Sequence, residues 1–227
     1  YTGVAQGWTL TVEETFYLSA PFIFYCTSKN RYGLFFSLLG ISLFGAGAIH
    51  LLSLGDFKFT LICTFFGRFA EFGVGIGLYF FLVTTKHRAM EKRGVVYTFT
   101  GGLTIILTIF LLSLLRNAEY QYGIQNPIGI FINNIISPFF VAVFYYGLIT
   151  ESTVTSKLLS SKVFQILGKS SYSLYLIHYG VFHYLVSHFV SPNVLIQIIV
   201  LQMLAIIFWK FVEEPFHKLF RYKLKPE

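Results

Sequence analysis

Three groups of residues along this chain have types and spacings that could do chemistry. Glu13 and Glu14 sit in an apolar stretch that opens at Trp8. On a helix Glu13 shares a face with Tyr17, four residues on, while Glu14 points about 100° away. A carboxylate carried into hydrocarbon costs ~2.5–3.5 kcal/mol, so one placed there points to function: it can accept hydrogen bonds from hydroxyls or orient a histidine. A Trp anchor with both glutamates still among the headgroups explains the same residues. Arg68 and Glu71, three apart in a later apolar run, also share a helix face. They form either an ion pair locking two helices or part of a site whose Arg fork suits phosphate or carboxylate. His178 follows Tyr175 and Ser171 on nearly one face, as a hydrogen-bonded structural histidine, a ligand contact or a proton relay. His183 and His188 continue at steps of five, each turning about 140°, so these histidines do not make a chelating pair and no metal site is expected.

The elements that must position these residues are membrane helices. Hydrophobic residues make up 55% of the 227 and charged ones only 12%, against about 25% charged in soluble domains. With 27 Phe and a mean hydropathy of +0.67, the chain needs lipid as its solvent. The expected fold is all-α, a multi-pass transmembrane bundle of seven helices near residues 9–27, 33–54, 59–83, 95–115, 127–149, 172–190 and 194–212. Gly73 and Gly77 should let a neighbouring helix approach the third of these, and Pro138 should kink the fifth. Cys26 and Cys63 lie in apolar runs and read as small buried hydrophobes rather than a disulfide. A net charge of +7 could suggest nucleic acid, but the basic residues gather in alternate connections. Lys29 and Arg31 form one group, Lys86, Arg88, Lys92 and Arg93 a second. Lys157, Lys162 and Lys169 form a third, and Lys218, Arg221, Lys223 and Lys225 the last. The partner they imply is the lipid bilayer, not nucleic acid, with the C-terminus in the cytoplasm and Trp8 outside.

Residues 8–21, WTLTVEETFYLSAP, resemble the signature of the integral-membrane acyltransferase 3 family, as do 67–77 (GRFAEFGVGIG), 167–178 (LGKSSYSLYLIH) and the closing 212–215 (VEEP). The resemblance covers nearly the whole chain. It implies an O-acyltransferase of the bacterial cytoplasmic membrane that moves an acyl group, often acetyl, from cytoplasmic acetyl-CoA or another acyl-CoA to a hydroxyl of an exported or cell-surface saccharide. No bound cofactor is implied. On this reading Glu13 and His178 are catalytic, and Trp8, Tyr17, Arg68, Glu71, Tyr172 and Tyr175 bind substrate. Glu13 at the outer mouth, Arg68 and Glu71 midway and His178 in the inner half would form a polar path, which equally suits a transporter of a small polar solute. An inactive lipid-handling relative is a third reading. Family members have about ten helices and place their principal histidine in the first. Residues 1–227 are therefore expected to be the C-terminal part of one membrane acyltransferase domain.

Overall fold

The computed structural model describes residues 7–30, 32–85 and 94–223. Arg31 and the basic segment 86–93, with Lys86, Arg88, Lys92 and Arg93, lie outside the described residues, as do Lys225 and the side chains of Arg221 and Lys223. Among the described residues the fold is all-helical. Five helical stretches are long and apolar enough to cross a membrane: Gly33–Leu51, Phe57–Thr84, Val96–Leu114, Pro127–Thr150 and Val194–Leu219. The chain divides into two compact units, Trp8–Ser156 and one built on the helices that follow.

In the first unit, α1 (Gly7–Lys29) and α2 (Gly33–Leu51) are followed by α3 (Phe57–Cys63) and α4 (Phe65–Thr84). α1 is long enough to span but carries Glu13 and Glu14 and is not among the five. α3 starts at Asp56, whose carboxylate accepts from the Phe59 N–H and satisfies a donor that a helix start leaves open. The expected third span is interrupted: Thr64 is extended, with φ −123° and ψ 157°. α5 (Val96–Leu114), α6 (Pro127–Phe131), a π-helical turn Ile132–Ile136 and α7 (Ser137–Thr150) complete the unit. Pro138 has no N–H to donate and its ring crowds the preceding turn; the expected kink takes the form of that wider turn just before it. Close helix approach is found at one of the two expected glycines: a Cβ on Gly73 would lie 2.7 Å from Leu38 Cδ1 of α2, while one on Gly77 would meet nothing within 4 Å. Backbones come closer between α5 and α7, where a Cβ on Gly101 would lie 2.5 Å from the Phe144 nitrogen and one on Gly147 2.3 Å from the Thr98 nitrogen.

The second unit contains α9 (Lys162–Lys169), α10 (Ser171–Ile177), α11 (Val181–Phe189), α12 (Val194–Phe208), a second π-helical turn Trp209–Glu213 and α13 (Glu214–Lys223); α8 (Val154–Leu159) leads into it. The second π turn also ends two residues before a proline, Pro215. The expected sixth span, 172–190, is not one helix. It breaks after Ile177, and Gly180 holds φ +78° and ψ −140°, a region that glycine enters because it has no Cβ. This break and the polar α1 separate the expected seven helices from the five observed spans. Large apolar side chains lie exposed on both units, including Leu18, Phe44, Phe110 and Ile199, as suits a chain whose solvent is lipid.

Candidate active site

An apolar stripe on α1 builds the site in the first unit. Trp8, Val12, Phe16 and Ile23 pack with Phe65, Phe69 and Phe72 of α4. Phe16 stacks on Phe72 with ring centres 4.4 Å apart, and Phe65 meets Phe72 edge-on at 5.3 Å. This registration sets the Trp8 ring 5.4 Å from the Arg68 guanidinium carbon, a cation–π contact. Arg68 then reaches along its own helix to Glu71. Its Nε donates to Glu71 Oε1 at 2.9 Å, and Nη2 lies 2.8 Å from the same oxygen. Two donors converge on one oxygen, so Glu71 Oε2 and the remaining guanidinium N–H groups make no further bond among the described residues. The two side chains are 24% and 31% exposed, dry enough to strengthen the pair and open enough for a ligand.

The opening is a cavity of about 390 Å³ where Arg68, Glu71, Asn133, Ser137 and Tyr145 supply polar groups among apolar neighbours. Asn134, the neighbour of the lining residue Asn133, is buried. Asn134 Nδ2 donates to the Leu61 carbonyl at 2.7 Å and the Gly67 carbonyl at 3.2 Å, two acceptors on either side of the Thr64 break. Its Oδ1 accepts from Asn133 Nδ2 at 2.9 Å. The broken helix and the π turn are thus joined through one amide, and Asn133 is held against the cavity beside Arg68.

Glu13 and Tyr17 do not join this cavity. Both are exposed, one position round the helix from the packed residues Val12 and Phe16. Glu13 makes no hydrogen bond or ion pair with the described residues; Glu14 is likewise exposed.

In the second unit, His178 caps the C-terminal end of α10 where the helix is interrupted, and is exposed. Its Nδ1 lies 2.8 Å from the Tyr175 carbonyl. A carbonyl can only accept, so Nδ1 carries the proton in the neutral ring and Nε2 keeps its lone pair outward. Tyr175 also packs its ring 5.5 Å from the imidazole. Tyr172 lines a separate cavity of about 280 Å³ with Ser173, Glu213 and His217. Two of the three serines of the 167–178 stretch fasten helices. Buried Ser173 donates to Glu213 Oε2 at 2.8 Å, and fully buried Ser170 accepts from Gln202 Nε2 at 3.0 Å.

Sequence reasoning missed Glu151 and Gln202. Glu151, only 3% exposed, ends α7 and caps α5, accepting from the N–H groups of Tyr97 at 2.9 Å and Thr98 at 2.8 Å and from the Thr98 hydroxyl at 2.7 Å. Burial alone would raise its carboxyl, but the donors of Thr98 and Tyr97 prevail and hold it below the usual carboxylate range. A lone acid directly after an apolar span was the available signal.

The fold and cavity define a helical protein suited to a membrane, with a charged, hydrogen-bonded cavity between helices. A family model described as an acyltransferase domain matches residues 1–212, and the chain belongs to that family, acyltransferase 3. "Putative O-acetyltransferase SACOL0978" of Staphylococcus aureus strain COL is 28% identical over 224 residues, 93% of this chain and 36% of its own length. "O-acetyltransferase OatA" of Staphylococcus aureus strain NCTC 8325 is 27% identical over 228 residues with the same shares covered. The chain therefore spans about a third of the length of these curated relatives. No solved structure matches it significantly.

Proposed function

We propose that this chain forms part of a membrane-embedded O-acyltransferase that transfers an acyl group, in the first instance acetyl, from a cytoplasmic coenzyme A thioester to a hydroxyl of an exported or cell-surface saccharide. The observation that carries this reading is the half-buried Arg68–Glu71 pair facing a polar cavity in a member of this family. The chemistry needs a base to take the acceptor's proton, attack of the freed oxygen on the thioester carbonyl, and departure of the thiolate, which takes up that proton. His178, with Nδ1 committed to Tyr175, offers Nε2 as such a base. Arg68 and Glu71 hold a polar group of a substrate. Glu13, exposed and without a partner among the described residues, receives the acceptor hydroxyls from the outer side, and the C-terminus lies in the cytoplasm. These roles belong to the complete protein.

Membranes carrying the complete coding sequence test the proposal when supplied with isotope-labelled acetyl-CoA and a saccharide acceptor, with transfer read by mass spectrometry. Glu13→Gln keeps the shape and removes the charge; it should lower transfer at least tenfold at unchanged membrane abundance. Glu14→Gln, on another face, should leave transfer within about twofold. Equal, mild losses from both would reduce Glu13 to an interfacial residue. Uptake of a solute with no labelled product would replace the acyltransferase with a transporter.

A further inference from the structure

One face of the α1–α2 pair carries a second opening, an apolar groove of about 600 Å³, remote in composition from the Arg68 cavity. Phe22, Phe36 and Phe44 line its length, and Gly40 lies along it. Lys29 and Asn30 stand at one end, where a short turn joins the helices and the Gly33 N–H donates to the Asn30 carbonyl at 2.8 Å. The helices touch there: a Cβ on Gly33 would fall 2.0 Å from the Cys26 carbonyl oxygen. Two turns further along α2 the contact has gone, and a Cβ on Gly40 would meet nothing within 4 Å.

The polar end is unlike the rest. The Lys29 ammonium lies 5.6 Å from the Tyr25 ring centre and is paired with no carboxylate among the described residues. Asn30 Oδ1 accepts from the Tyr32 N–H at 2.9 Å, so its NH2 remains a donor for something else. Gly33 begins one of the five apolar spans. Lys29 and Asn30 are thus at headgroup level while the phenylalanine-lined part runs beside hydrocarbon.

We propose that this groove is a binding site for one anionic phospholipid, with an acyl chain along Phe22, Phe36 and Phe44 and the phosphate at Lys29 and Asn30. The volume is that of a ligand-sized cleft, an ammonium with no carboxylate partner among the described residues and an amide NH2 match a phosphodiester at its surface end, and the groove is open at Gly40, where a Cβ would meet nothing within 4 Å. The site needs no acyltransferase activity, so it stands or falls apart from the function proposed above.

The test uses the full chain purified in mild detergent and offered phosphatidylglycerol and phosphatidylcholine of equal chain length, with retained lipid counted by native mass spectrometry. One phosphatidylglycerol should be retained in preference to phosphatidylcholine. Lys29→Gln, a surface change, should reduce that preference about fivefold. Gly40→Leu should displace the lipid, whereas Gly47→Leu, which also meets open space but lies outside the groove, should not. Circular dichroism and size-exclusion elution confirm that each variant is folded. Equal retention of both lipids, or phosphatidylglycerol retention unchanged in both Lys29→Gln and Gly40→Leu, would overturn the proposal. So would a Gly40→Cys thiol that stays closed to maleimide after delipidation, because a protein segment would then fill the groove.

Discussion

Replacing Glu151 by Gln should destabilise the first unit in a manner that depends on pH. The carboxylate accepts three hydrogen bonds, from the Tyr97 N–H, the Thr98 N–H and the Thr98 hydroxyl, at the start of α5, where the helix dipole favours a negative charge. Gln keeps one acceptor oxygen and sets an NH2 against a donor, so at least one charge-assisted bond is lost. Such bonds contribute about 1.5–3 kcal/mol each, and the lost dipole interaction adds about 0.3–1 kcal/mol. The expected cost is about 2–4 kcal/mol, or about 4–16 °C in melting temperature for a chain of this size. Because the folded-state carboxyl titrates below its ordinary value, its stabilisation is fully present at neutral pH, above the unfolded value. It disappears as pH falls through the folded value. Thermal unfolding of parent and variant in detergent, from pH 7 down to about 3, should show a gap that closes at the acid end. A gap that is absent at pH 7, or that persists undiminished in acid, would refute the assignment of Glu151 as the charged cap of α5.

Asn134→Leu removes two donations to the Leu61 and Gly67 carbonyls and should cost about 1–3 kcal/mol, read as a lower melting temperature with faster proteolysis near the Thr64 break. His178→Gln in the complete protein should lower acyl transfer about 100-fold or more; transfer at the parental rate would make His178 a structural residue.

The helical class, the membrane setting and the pairing of Arg68 with Glu71 were legible in the sequence, because apolar run length and three-residue spacing act locally. The breaks were not. Thr64 lies inside a run that reads as continuous helix, and its extended backbone is tied to an amide 70 residues away in Asn134. The interruption after Ile177 depends on Gly180 adopting positive φ, which a glycine permits but does not announce. Pro138 signalled disturbance, yet proline chemistry alone does not say whether a helix kinks or widens. Trp8 reads as an interfacial anchor until the Phe16–Phe72 stack fixes the register that places it over Arg68. Ser173 and Glu213 both lie in recognised stretches, but their bond spans 40 residues, and spacing along the chain carries no trace of it.

Arg68 offers the most direct measurement. Arg68→Gln, introduced into the complete protein and assayed for acetyl transfer at matched membrane abundance, removes the charge that Trp8 covers and Glu71 accepts while keeping much of the volume. The cavity reading predicts a loss of about 100-fold or more, with Arg68→Lys recovering only part of it because an ammonium cannot reproduce the planar fork. Transfer at the parental rate in Arg68→Gln, with the protein folded and inserted, would contradict it.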